Sequence, residues 1–131
     1  MLDLRLSPPG FNATRNIVMF EAQGTVGADG TITAGTTIGR GLTLAKSATG
    51  TYTATIKPAG SAVGAILYAN AVIIGDTPQV ATVKSLDPST GVATFEVHTL
   101  GDTNNDDNAD VIDTQKLAVF MLVRNSPDDG S

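Results

Sequence analysis

The stretch 39-GRGLTLAKSATGTYTATI-56 sets the reading of the whole chain. Leu42 and Leu44 alternate with Thr43 and Ala45. After a turn at Ser47-Ala48-Thr49-Gly50, Tyr52, Ala54 and Ile56 alternate with Thr51, Thr53 and Thr55. Period-two alternation on both sides of a Gly-containing turn is the pattern of a β-hairpin with one buried and one wet face. β-Branched and aromatic residues suit a pleated, half-buried surface, so composition and periodicity agree.

The same pattern recurs outward from this hairpin. Residues 16–23 form a strand around Ile17, Val18, Met19 and Phe20. Asp29-Gly30 reads as a hairpin turn between two short strands. Residues 57–61 are a Pro-Gly loop, 62–74 an apolar strand, and Gly75-Asp76-Thr77-Pro78 a turn. A further hairpin is 82-TVKSLDPSTGVATFEVHT-99, in which Ala93, Phe95 and Val97 face one way and Thr94, Glu96 and His98 the other. Residues 117–124 close the pattern and are apolar on both faces, which suits either a central core strand or one sealed at an interface. Helix is minor, with 110–117 as its one candidate place. About eight strands at roughly ten-residue spacing suggest a sandwich, jelly roll or small barrel, and the expected class is an all-β, single-domain antiparallel β-sandwich of jelly-roll-like type. The expected organisation is an extended N-terminal arm over 1–14, a β-sandwich domain over 15–125 and a polar tail over 126–131.

Composition supports this. Eleven Asp against two Glu favours turns over helices, and 131 residues make one domain. The net charge is −5, with the eight Lys and Arg scattered singly, which argues against nucleic acid as a partner. No apolar run approaches the ~20 residues of a membrane helix, so no membrane is expected. Asp3 and Arg5 interrupt the apolar stretch that a secretion signal needs, so synthesis in the cytoplasm is expected. There is no Cys, hence neither disulfide nor thiolate.

Catalysis finds little to use. The one histidine, His98, lies on the polar face of a strand with no nucleophile motif beside it. The chain reads as a non-enzyme with no cofactor. One constellation remains, 101-GDTNNDDNADVID-113. Asp102, Asn104, Asp106, Asn108, Asp110 and Asp113 hold positions 1, 3, 5, 7, 9 and 12 of a run. Calcium takes ~6–8 oxygen ligands from such spacing. The loop resembles the calcium loop of dockerin modules, although position 6 is Asp107 instead of Gly, position 12 is Asp in place of Glu, and only one repeat is present. Asp102, Asn104, Asp106, Asn108 and Asp113 are the metal candidates. The competing reading is an acidic surface loop of turn residues.

Across residues 39–127 the pattern resembles small β-structured virion proteins of tailed bacteriophages. The shared elements are the hairpin 39–56, the hairpin 82–99, an Asp/Asn/Ala-rich loop and a closing strand, 117-LAVFMLVRNSP-127. The resemblance implies a head decoration (cement) protein, sitting as a homotrimer on the outer capsid surface and binding the major capsid protein. Leu2, Leu4 and Leu6 at strand spacing, with Pro8, Pro9 and Phe11, make the arm a candidate for partner binding by strand addition. Leu117, Val119, Met121 and Val123 are the candidate subunit seam. A tail-fibre or receptor-binding module is the alternative, predicting a sugar-sized groove with exposed aromatics. A calcium-dependent docking module is a third reading.

Overall fold

A computed structural model describes residues 17–100 and 108–124. Within them the chain is all β, with no helix. The strands are β1 (Ile17–Thr25), β2 (Ile38–Arg40), β3 (Leu42–Ala48), β4 (Thr51–Ile56), β5 (Ala65–Ile74), β6 (Gln79–Asp87), β7 (Val92–Thr99) and β8 (Lys116–Arg124). They form one antiparallel sheet in the order β2-β1-β8-β5-β6-β7-β4-β3.

The predicted strand content and the β3–β4 and β6–β7 hairpins are present. The strands are hydrogen-bonded into a single, nearly closed sheet, whose two four-stranded halves, β2-β1-β8-β5 and β6-β7-β4-β3, meet at a thin junction on each side. At one side β2 and β3, the two ends of the strand order, are separated by Gly41 alone. Gly41 has φ +81°, and a Cβ there would run into the Phe20 ring. The chain therefore pairs with β1 through β2, turns at Gly41, and pairs with β4 through β3. At the other side β5 and β6 share one rung, Val72 opposite Val80, and then diverge.

Alternation fixes the core. Ala93, Phe95 and Val97 of β7, Leu42 and Leu44 of β3, and Tyr52, Ala54 and Ile56 of β4 point inward, as the hairpin pattern requires. Burying each of the larger aliphatic or aromatic side chains contributes about 1.5–3 kcal/mol. β8 runs between β1 and β5 and contributes Leu117, Val119, Met121 and Val123, at 0%, 3%, 0% and 0% exposure. These four are therefore core, which corrects their reading as a subunit seam. A side chain enclosed by its own chain has no surface to offer a neighbour.

Two smaller expectations also change. Asp29-Gly30 turns the chain, but the flanking residues make only an isolated bridge, Val26 opposite Ile32, in place of two strands. Residues 110–115 hold a turn and no helix. Val26 donates to the Gln115 carbonyl and accepts from the Thr114 N–H, and Thr114 sits at φ +70°. These bonds tie the segment to the end of β1, so it cannot close a helical turn.

Candidate interaction face

Because β8 is central and its inward set is Leu117 to Val123 by twos, its outward set is Ala118, Phe120 and Leu122. Register then builds the outer face row by row. Met19 lies opposite Leu122, and Leu122 opposite Tyr68. Phe120 stands between Glu21 and Asn70. Ile38 lies opposite Gln23, which faces Ala118, which faces Val72. Ile38, Met19, Tyr68 and Val72 are 64%, 58%, 51% and 50% exposed. Tyr68 and Phe120 meet edge to face with ring centroids 6.0 Å apart, the arrangement favoured by the ring quadrupoles.

The small side chain of Ala118 leaves a shallow hollow of about 350 Å³ in this face, walled by Ile38, Phe120, Val72 and Asn70. One carboxylate, Glu21, stands inside the face opposite Phe120 and borders the hollow; the other charges lie at the margins. Glu21 and Arg40 oppose each other across β1 and β2, and Lys116 and Arg124 end β8.

The opposite outer face differs. Thr43 opposes Thr55, Thr53 opposes Thr94, and Thr82 opposes Glu96. Lys84 binds Glu96 at 3.1 Å. Hydrogen bonding to Lys84, then to Asn108, holds the Glu96 carboxyl below its ordinary range. His98 takes its predicted place on this face, opposite Val80. The fold therefore presents one polar, Thr-rich outside and one apolar outside.

The candidate calcium ligands within the described residues do not converge. The Asp110 carboxylate accepts from Lys46 Nζ at 2.8 Å and from the Gly50 N–H at 2.7 Å. Partial burial alone would raise its pKa, but the Lys46 hydrogen bond and the Gly50 N–H outweigh that and hold it below the usual range. Asn108 reaches Glu96 at 3.5 Å. Asp113 is exposed beside a different hollow, lined by Asp76, Thr77, Thr114 and Gln115. No group of three or more His, Cys, Asp or Glu suited to a metal ion occurs among the described residues. Asp110 therefore acts as a structural tie between the β3–β4 turn and the segment leading into β8. Asp102, Asn104 and Asp106 lie outside the described residues, as do the arm residues Leu2, Leu4, Leu6, Pro8, Pro9 and Phe11.

The face residues Met19, Ile38, Tyr68, Phe120 and Leu122 were not singled out by sequence reasoning. The available signal was that 117–124 is apolar on both sides, which marks a strand with something to cover on each. No family model, curated protein or solved structure matches this chain.

Proposed function

We propose that this chain is a non-enzymatic virion structural protein, a capsid decoration protein of the tailed-phage type. It binds the outside of the head as a homotrimer and stabilises the shell through the major capsid protein. The observation that carries a binding role is the apolar face centred on Phe120 and Leu122. Isolated exposed apolar residues are ordinary, but Met19, Leu122 and Tyr68 in one row and Ile38 and Val72 in another gather on one face, and such a cluster supports a contact role. The sequence resemblance supplies the kind of particle, and its two hairpins are neighbours in the fold through β4 and β7. In a trimer three arms, residues 1–14, act together on the shell, and avidity multiplies their separate affinities.

The test is co-sedimentation with heads of the encoding virus that lack decoration protein. Saturable binding in multiples of three is expected. Deleting residues 1–14 is expected to abolish it while leaving the circular dichroism spectrum unchanged. Full binding by the truncated chain would remove the arm from the mechanism.

A receptor-binding module of a tail fibre is the second reading. The Tyr68–Phe120 pair beside a 350 Å³ hollow favours it, since sugars stack on exposed rings in such hollows. Binding to host envelopes, with none to heads, would replace the first reading with this one.

A further inference from the structure

We infer that the gap between β5 and β6 accepts an extended segment of another polypeptide, which pairs with β6 as an added strand. The inference goes beyond the proposed function and does not depend on it.

The first observation is an incomplete ladder. β5 is paired with β8 from Ala65 to Ile74, and β6 with β7 from Gln79 to Asp87. Towards each other, β5 and β6 share only the Val72–Val80 rung among the described residues. Beyond it, 65–71 and 81–87 form the two lips of a gap whose far end is marked by the Val63 N–H donating to the Pro88 carbonyl at 2.8 Å. Antiparallel strands turn the N–H and C=O of every second residue away from a given partner. Each lip therefore carries a row of backbone donors and acceptors. Such a row is a template for one class of ligand, another chain in β conformation.

The second observation is the cause of the gap. β5 has a bulge between Ile66 and Tyr68, and β6 has one between Val83 and Ser85. Counted outward from the Val72–Val80 rung, Tyr68 falls level with Lys84, so the two bulges stand at the same height. A bulge bends its strand and sharpens the local twist. Two at one height turn the lips apart, so the opening is built into the backbone.

The third observation is an uncovered piece of core. Register puts Ala81, Val83 and Leu86 on the inner side of β6, opposite Val97, Phe95 and Ala93. Those three β7 side chains are fully buried, yet Val83 and Leu86 are 43% and 38% exposed. Across the gap the buried side chains of β5 are Ala69 and Ala71, which are too short to cover them. The core lacks one set of apolar side chains, on the side where the backbone edge is open. A strand supplies both at once, whereas a small molecule supplies only apolar cover.

The chemistry of the occupant follows from the lips. β5 has no charged side chain, and β6 brings only Lys84 between Gln79 and Leu86, already bound to Glu96 at 3.1 Å. Edges that must stay unpaired are guarded by charge, and these are not. The fitting segment is uncharged through its centre, with apolar residues at alternate positions turned toward Val83 and Leu86. About six residues, ~20 Å of strand, fill the length beside 81–87.

The experiment uses the full chain and a short fluorescent peptide that alternates valine and threonine, with lysine at each end. Binding is read by anisotropy and located by amide hydrogen exchange. Saturable binding is expected, with exchange in 81–87 slowed about tenfold or more. The same peptide N-methylated along its backbone loses the donors a ladder needs and should not bind. Val83→Lys and Leu86→Lys put charge on the lip at positions already open to water. Each should weaken binding about tenfold with the circular dichroism spectrum unchanged, whereas Thr53→Lys on the polar side should not. No saturable binding, equal binding of the N-methylated peptide, or protection confined to residues outside the two lips overturns the inference. Co-sedimentation with heads is run separately. Heads that ignore this chain remove the decoration reading and leave the peptide result to decide the gap.

Discussion

Removing one oxygen atom, in Tyr52→Phe, tests how the loops are held to the sheet. Tyr52 is fully buried on β4. Its hydroxyl donates to the Gly30 carbonyl at 2.5 Å and accepts from the Val111 N–H at 3.0 Å. Those partners lie 22 and 59 residues away in sequence, so one side chain joins the Asp29-Gly30 turn to the segment before β8. Phe fills the same space, so no cavity opens. What changes is that a buried carbonyl and a buried N–H lose their partner. Each such orphan costs about 1–3 kcal/mol, and Val111 is itself 2% exposed, so water does not readily replace the hydroxyl. A loss of about 2–4 kcal/mol is expected. In a domain of this size that lowers Tm by roughly 10 °C. Urea unfolding followed by circular dichroism should show a lower midpoint at unchanged slope. A loss under about 0.5 kcal/mol would refute the reasoning, since it would mean that the two backbone groups are solvated without Tyr52.

The same hydroxyl carries a pH signature. Burial raises the Tyr52 pKa above 10.0. The folded state thus keeps the proton that the unfolded state releases. The resulting stability is complete below the unfolded pKa of about 10 and is lost as pH rises through the folded value. Wild type should weaken on that alkaline limb more steeply than Tyr52→Phe.

Three further outcomes are expected. Gly41→Ala should cost about 2 kcal/mol or more, because it combines a left-handed backbone with a clash on the Phe20 ring, whereas Gly35→Ala should cost only about 1 kcal/mol. Gly35 has the same φ, +81°, with open space around it, so equal losses on chemical denaturation would dismiss the steric account of sheet closure. In acid, Asp110, Asp29, Asp87 and Glu96 all have depressed pKa values. The stability they contribute is present above their ordinary range of about 4 and disappears as pH falls through the folded values. Tm measured from pH 6 to 2 should drop on this limb, and less steeply in Asp110→Asn; identical limbs would show that the Lys46–Asp110 tie adds nothing. Finally, Leu117→Ala should cost about 2–5 kcal/mol, as expected for a fully enclosed leucine, while Leu122→Ala on the outer face should cost distinctly less in the dissociated chain.

Much of the fold was legible from local chemistry. Thr and apolar residues alternating across Ser47–Gly50 can satisfy only a hairpin, and the structure pairs Leu44 with Ala54 and Thr43 with Thr55. Asp87 to Gly91 was readable as a turn for the same reason. The Asp/Asn run was less tractable. Spacing marks side chains able to converge on an ion, but it cannot register that Lys46, 64 residues away, already occupies Asp110.

Sequence by itself therefore determined the class of structure, the longer strands and most of the turns, because period two and turn chemistry are local properties. Which way β8 faces was decided only by tertiary structure. Its residues are apolar at odd and even positions alike, and a one-residue shift exchanges the two sets. The position of β8 between β1 and β5, and the curvature imposed where Gly41 carries the chain from one edge to the other, put Leu117 to Val123 in the core. The same geometry left Phe120 and Leu122 outside. Hydropathy along a strand states that both faces are to be covered; only the packing of the other seven strands settles which face they cover and which is left for another molecule.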